Sequence, residues 1–192
     1  MLRDAVLQAA TRPEVPAAVA RVYADLQCEI DARKPVCNAS GRCCRFDEFG
    51  HRLYVTTIEL AAFVAQLPAD RPVEVNPGGC PFQIGGLCSV HTIRPFGCRI
   101  FFCDSTSDEW QHQQYERFHG ELKRLHEELG VPYRYVEWRD ALRQLDLNVN
   151  PNPLPLAVSR TKEDSDAAIR ETASGNQSAS GPKHLSLPQL PL

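Results

Sequence analysis

The stretch that most constrains the fold is residues 80–103, which read CPFQIGGLCSVHTIRPFGCRIFFC. It holds four of the chain's eight cysteines, and Gly85, Gly86 and Pro95 lie between them, where they can turn the backbone. Thiolates are soft, anionic ligands that suit zinc and iron, and a cluster of them is costly unless a cation neutralises it. The stretch therefore predicts loops that fold back on themselves around a metal.

A second cysteine group lies upstream, at Cys37 and the adjacent pair Cys43 and Cys44. Three thiols make an incomplete site alone, so we expect the two groups to converge in space, although neighbouring side chains such as those of the pair normally diverge. Cys28 falls two residues after Leu26, on the far side of a helical stripe, which predicts an exposed thiol outside the site. The predicted metal ligands are Cys37, Cys43, Cys44, Cys80, Cys88, Cys98 and Cys103.

The spacing of the cysteines leaves the metal open. The C-x2-C pairs of zinc ribbons and the spacing of ferredoxins are both absent from the sequence. The predicted cofactor is therefore a zinc ion, an iron ion or an iron–sulfur cluster. Because four thiolates leave negative charge on such a site, Arg94 and Arg99, which flank Cys98 with no acidic residue between them, are predicted to bind the cofactor by compensating charge; the alternative is that they are surface residues.

Three amphipathic helices are predicted around these loops, over residues 15–30, 57–67 and 108–129, because apolar residues recur there at steps of three and four. Thr56 and Glu59 have the spacing of a capping box; Glu59 is read first as a cap and alternatively as a partner of the site or a general base. Short alternating runs at 51–55 and 133–138 predict strands.

The predicted fold class is α+β, mostly helical: a small single domain over residues 15–150, with cysteine-rich metal-binding loops packed between the three helices. Residues 1–14 are expected to form an N-terminal arm, in which the first 13 residues could also be a frayed helix. Residues 151–192 contain no aromatic side chain and no cysteine and are rich in Pro and Ser, a composition that predicts a disordered tail.

The composition excludes several classes of protein. The net charge is −3, and no basic patch with interleaved aromatic residues suggests nucleic-acid binding. No run of apolar residues is long enough for a membrane span, and charged residues and prolines interrupt the first segment where a secretory signal would need an apolar core. We therefore expect a cytoplasmic protein whose thiols stay reduced and act as ligands rather than disulfides.

Four blocks of the sequence occur in an order that carries a resemblance. They are residues 37–44 (CNASGRCC), Glu59, residues 80–88 (CPFQIGGLC) and residues 94–103 (RPFGCRIFFC). This pattern resembles the CxxCxxCC, or YkgJ-like, cysteine-cluster family, which is described as a zinc- or iron-chelating domain. The resemblance covers residues 37–103 and implies metal chelation without fixing a reaction.

Ser40 departs from that pattern, since the family usually has a second cysteine there. A serine hydroxyl is a poor metal ligand at neutral pH, so Cys28 or His91 could replace it, or the two cysteine groups could share one site. A flagellin lysine-N-methylase resembles the same pattern, which implies an enzymatic alternative, but no glycine-rich segment suited to S-adenosylmethionine is present. The third alternative is a zinc-stabilised module for an unidentified protein partner. No catalytic residue is predicted.

Overall fold

The computed structural model of the chain describes residues 1–68 and 76–147. The predicted tail, residues 151–192, lies outside the described residues, as do residues 69–75. The helices are α1 (Leu2–Ala10), α2 (Glu14–Arg33), α3 (Phe46–Phe49), α4 (Thr57–Gln66), α5 (Phe96–Ile100), α6 (Asp108–Glu128) and α7 (Trp138–Gln144). The strands are β1 (Tyr54–Thr56), β2 (Gln83–Ile84), β3 (Leu87–Cys88) and β4 (Tyr135–Glu137).

The three predicted helices are present as α2, α4 and α6. Their apolar stripes face inward as the periodicity requires: α2 buries Val19, Val22 and Leu26, and α6 buries Phe118 and Leu122. The described part of the chain is thus mostly helical, with two small two-stranded sheets, and the α+β class is confirmed at this level.

Helix α4 lies at the centre of the core because it is apolar on nearly every side. Its Leu60 and Phe63 pack into one buried cluster with α1 and α7, whereas Ile58 and Ala62 pack into a second cluster with α2 and α6. A helix that is apolar all round must be covered on all its faces. This requirement explains why the short helices α1 and α7 belong to the same packed unit as the long ones.

The first residues, expected to be an arm or a frayed helix outside the domain, are instead packed into its core. Residues 2–10 form α1, and Leu2, Val6 and Ala9 of that helix are buried. The expectation missed them because apolar residues four and three positions apart form only a short stripe, which becomes stable when α4 offers an apolar surface to pack on.

The predicted strands are shorter than expected and pair with each other. β1 and β4 run antiparallel, with Val55 opposite Val136. Each strand is followed at once by a helix: Thr56 and Glu59 form the predicted capping box at the start of α4, and the Glu137 side chain accepts a hydrogen bond from the Asp140 N–H at the start of α7. None of the helices in the described ranges has the length and apolar character required to cross a bilayer.

Candidate metal centre

The two cysteine loops interlock through backbone contact. Gly41, with φ +68°, begins a short 3-10 turn over Arg42–Cys44. A Cβ added at Gly41 would lie 2.1 Å from the Gly86 carbonyl oxygen, and the Gln83 Nε2 donates hydrogen bonds to the carbonyl oxygens of both glycines at 3.0 and 3.1 Å. Only glycine permits this close approach, so the upstream loop is seated directly on the β2–β3 hairpin.

A second contact joins the same loop to the segment that precedes the hairpin. The Cys80 N–H donates to the Cys44 carbonyl oxygen at 2.7 Å, and the Asp47 N–H donates to the Gly78 carbonyl oxygen at 2.8 Å. Gly79 lies between them, where a Cβ would meet the Cys44 carbonyl oxygen at 2.6 Å. The backbone thus holds Cys44 beside Cys80, from the two sequence groups predicted to converge.

Five of the seven predicted ligand cysteines come together in this region. The thiol of Cys44 forms hydrogen bonds with the thiols of Cys43, Cys80 and Cys88, and charges on Cys80, Cys43 and Cys88 act on the nearby thiol of Cys98. The contact between Cys43 and Cys44 contradicts the expectation that neighbouring side chains diverge. We call this group the thiol cluster and define it as Cys43, Cys44, Cys80, Cys88 and Cys98.

The sequence predicted that the cysteine loops would pack between α2, α4 and α6. The thiol cluster lies elsewhere, with α1, α4 and α7. Cys44 and Cys80 are buried in the core cluster formed with α1, α4 and α7, and the other three thiols pack against that cluster. Helices α2 and α6 belong to the second cluster, which Phe96 and Ile100 of α5 join. The sequence does predict a short helix after the strand at 133–138, ending at Leu145, but no local pattern places that helix or α1 on the cysteine side.

The thiols of the cluster differ in pKa. Hydrogen bonding to Cys44 lowers the pKa of Cys43 from its ordinary 9.0 to about 6 and that of Cys88 to about 7, and it lowers the pKa of Cys80 as well. The same contacts raise the pKa of Cys44, so this central thiol stays protonated beside its neighbours. Removal from water raises the pKa of Cys98, and charge on Cys80 acts in the same direction.

An indole group supplies a directed donor to this cluster. The Trp138 Nε1–H donates to the Cys80 Sγ at 3.4 Å, and the Trp138 side chain is buried against Phe63 and Phe82. Hydrogen bonding to a sulfur favours its thiolate form. The sequence did not indicate this role, since Trp138 ends a predicted strand and nothing in its spacing links it to Cys80.

The two arginines differ in what they contact. Arg94 lies close enough to Cys43 and Cys88 for its charge to lower the pKa of both thiols, and its guanidinium group is hydrogen-bonded to His91. Arg99 donates to the carbonyl oxygens of Arg94 and Thr92 at 2.9 and 2.7 Å and stacks on the ring of Tyr23. Arg94 thus lies beside the thiols, whereas Arg99 stabilises the neighbouring loop through its backbone. That either residue binds a cofactor stays a prediction.

Glu59 connects the cap of α4 to the segment that carries Cys98. Its buried carboxylate accepts from the Thr56 N–H and hydroxyl, both at 2.8 Å, from the Phe96 N–H at 2.9 Å and from the Tyr23 hydroxyl at 3.3 Å. Burial raises the pKa of Glu59, and these donors act in the opposite direction. The capping interpretation is confirmed, and the bond to Phe96 fixes the first residue of α5.

Three cysteines remain outside the cluster. Cys28, Cys37 and Cys103 are all exposed. For Cys28 this is what its position on α2, opposite the apolar stripe, predicts. The Val36 N–H donates to the Asp104 Oδ2 at 3.2 Å, so Cys37 and Cys103 each lie one residue from this hydrogen bond. Their predicted role as metal ligands stays a prediction.

Among the described residues, no group of three or more His, Cys, Asp or Glu side chains is arranged as a metal-ion site. The contacts that Cys44 makes are those of hydrogen-bonded, protonated cysteines. A cation binds thiolates and displaces those protons, so the sulfur atoms must turn toward it on binding. The residue types fit zinc or iron, and the present side-chain positions are those of a hydrogen-bonded thiol group.

Comparison with known proteins identifies no relative. No family model, no curated protein and no solved structure matches this chain. The resemblance to the CxxCxxCC family therefore stays a prediction.

Proposed function

We propose that this protein binds a thiophilic metal, as a zinc ion, an iron ion or an iron–sulfur cluster, through the thiol cluster. The observation that carries the proposal is the meeting of five thiols from four separate segments of the chain. Cys44, Cys80 and Cys88, with Cys43 or Cys98, supply the four thiolates that zinc and iron–sulfur clusters take. Cys37 and Cys103 would have to turn inward to join them.

The surroundings of the thiols support the same function. Two of the five have a pKa of about 6 or 7, which makes them ready to lose a proton to a metal at neutral pH. Arg94 places positive charge beside Cys43 and Cys88, and the Trp138 N–H donates to Cys80. Such outer contacts orient metal ligands and stabilise their negative charge. The function also requires a compartment that keeps thiols reduced, such as the cytoplasm.

Metal analysis of protein purified without oxygen tests the proposal. We expect zinc or iron bound in a fixed ratio to the chain, with Cys44→Ser losing most of it because Cys44 contacts three other cluster thiols. Cys28→Ser, which alters an exposed thiol, is the matched control and should retain the metal. Circular dichroism of each variant establishes that it is folded, and Cys88→Ser provides a second cluster variant if Cys44→Ser fails to fold.

The optical spectrum separates the remaining alternatives. A brown protein with visible absorbance indicates an iron–sulfur cluster and a redox function, whereas a colourless zinc protein favours a structural role or a module for a protein partner. Methylation of protein lysines that depends on S-adenosylmethionine would support the enzymatic alternative. Wild-type protein that carries no metal, or equal metal loss in Cys44→Ser and Cys28→Ser, would overturn the proposal.

A further inference from the structure

A pair of exposed cysteines lies at the two ends of the segment that contains the thiol cluster. Cys37 precedes all five clustered thiols in sequence and Cys103 follows them. Both are exposed, in contrast to the buried Cys44 and Cys80. They are therefore accessible to reagents in solution that do not reach the buried thiols directly.

Two hydrogen bonds tie the segments that carry this pair. The Val36 N–H donates to the Asp104 Oδ2 at 3.2 Å, and the Arg33 Nη2 donates to the Thr106 carbonyl oxygen at 2.7 Å. Both bonds involve a side chain, and the first places the Val36 backbone beside the Asp104 carboxylate. Cys37 follows Val36 and Cys103 precedes Asp104, so each cysteine is one residue from that bond.

Asp104 holds the segment around Cys103 in place. Its carboxylate also accepts from the Thr106 N–H and from the hydroxyls of Thr106 and Ser107. The segment around Cys37 is adaptable, because residues 34–41 have neither helical nor strand structure. A disulfide needs Cα atoms about 4.4–6.8 Å apart, so a bond between Cys37 and Cys103 requires this coil to bring their Cα atoms within that range.

We propose that Cys37 and Cys103 form a reversible disulfide that closes the chain around the thiol cluster. The oxidant class is a low-molecular-weight disulfide such as oxidised glutathione. The thiolate of one cysteine attacks that disulfide, forms a mixed disulfide and releases one glutathione thiolate. The second cysteine then attacks the protein sulfur of the mixed disulfide and releases the other glutathione.

The net reaction balances. The two protein thiols lose two electrons and two protons, and the glutathione disulfide is reduced to two thiols that take up both. Disulfides of proteins in reducing compartments are usually transient and redox-sensing, which suits an exposed pair of this kind. The proposal does not depend on metal binding, since neither cysteine belongs to the thiol cluster.

Peptide mapping of the full chain tests this disulfide. The protein is equilibrated with glutathione buffers of increasing oxidised fraction, its remaining thiols are alkylated, and tryptic peptides are analysed without reduction. We expect residues 34–42 to be joined to residues 100–117 in most molecules at the oxidising end, and the bond to be reversed by reduced glutathione. Cys37→Ser and Cys103→Ser should abolish the joined peptide, whereas Cys28→Ser should leave it unchanged.

Several results would overturn the proposal. One is a glutathione adduct on Cys37 or Cys103 without the internal bond at any buffer composition. Another is a disulfide to Cys28 as abundant as the predicted one, or a dimer linked through these cysteines. Loss of bound metal in both Cys37→Ser and Cys103→Ser would instead assign the pair to the metal site, as the family resemblance implies. The first two outcomes leave open whether the five clustered thiols bind metal, which the metal content of Cys44→Ser tests separately.

Discussion

Replacing Gly41 with alanine tests whether the two cysteine loops are held together by direct backbone contact. A left-handed conformation costs an alanine about 1–2 kcal/mol relative to glycine. The new Cβ also meets the Gly86 carbonyl oxygen at 2.1 Å and the Gln83 Nε2 at 2.6 Å, so the Gln83 amide must move and its two hydrogen bonds are lost. Each such bond contributes about 0.5–1.5 kcal/mol. The free energy of unfolding should fall by about 2–5 kcal/mol in total.

Gly50 provides a matched control for this substitution. Its φ is +65°, close to the +68° of Gly41, and a Cβ added there meets no atom within 4 Å. Gly50→Ala should therefore lose only the backbone contribution of about 1–2 kcal/mol. Urea denaturation followed by circular dichroism measures both variants, provided that the slopes agree with the wild-type slope. If Gly41→Ala is destabilised no more than Gly50→Ala, the interlock of the two loops does not contribute to stability.

Three further predictions follow from the same region. Trp138→Phe removes the donor to Cys80, so the free energy of unfolding should fall by about 1–3 kcal/mol and the pKa of Cys80 should rise; an unchanged pH profile of Cys80 alkylation would contradict this. In metal-free protein, Cys43 and Cys88 have pKa values lowered to about 6 and 7 from 9.0, so their contribution to stability is full above pH 9 and is lost as the pH falls through those values. The melting temperature should thus rise from pH 6 to pH 8. The thiols with raised pKa do not oppose this rise, because they stay protonated in the folded and the unfolded state over that range. A fall in melting temperature would refute the assignment. Glu59→Ala leaves two buried backbone N–H groups without an acceptor and should lower the free energy of unfolding by about 2–6 kcal/mol, which urea denaturation would measure; a loss below that range would show that water replaces the carboxylate.

The parts of the fold that sequence could predict are those with a strong local signal. The stripe of α6, with Phe118 and Leu122 four residues apart, and the capping box at Glu59 both specify a helix without reference to the rest of the chain. The turn at Gly85 and Gly86 is of the same kind, since both residues have positive φ between two short strands. Local rules decide such elements because the residues that interact are neighbours in sequence.

The parts that sequence could not predict depend on partners far along the chain. Leu2 and Val6 are too few to specify a packed helix, and only the apolar surface of α4 makes α1 part of the core. The contact between Trp138 and Cys80 spans 58 positions, and no local pattern connects the two residues. Contacts of this kind follow from the path of the whole chain, so they become visible only when that path is known.

The adjacent pair Cys43 and Cys44 illustrates how such long-range contacts change the chemistry of a site. In regular structure neighbouring side chains point in different directions, and on that ground the two were not expected to share one ion. Here a left-handed Gly41 starts a 3-10 turn, the Cys80 N–H holds the Cys44 carbonyl oxygen, and the two thiols are in hydrogen-bond contact. Gly41 sets the backbone conformation of the turn, and the hydrogen bond from Cys80 holds the turn in the core. The pair can therefore serve a common site only in the folded chain, which is why metal binding and folding should depend on each other in this protein.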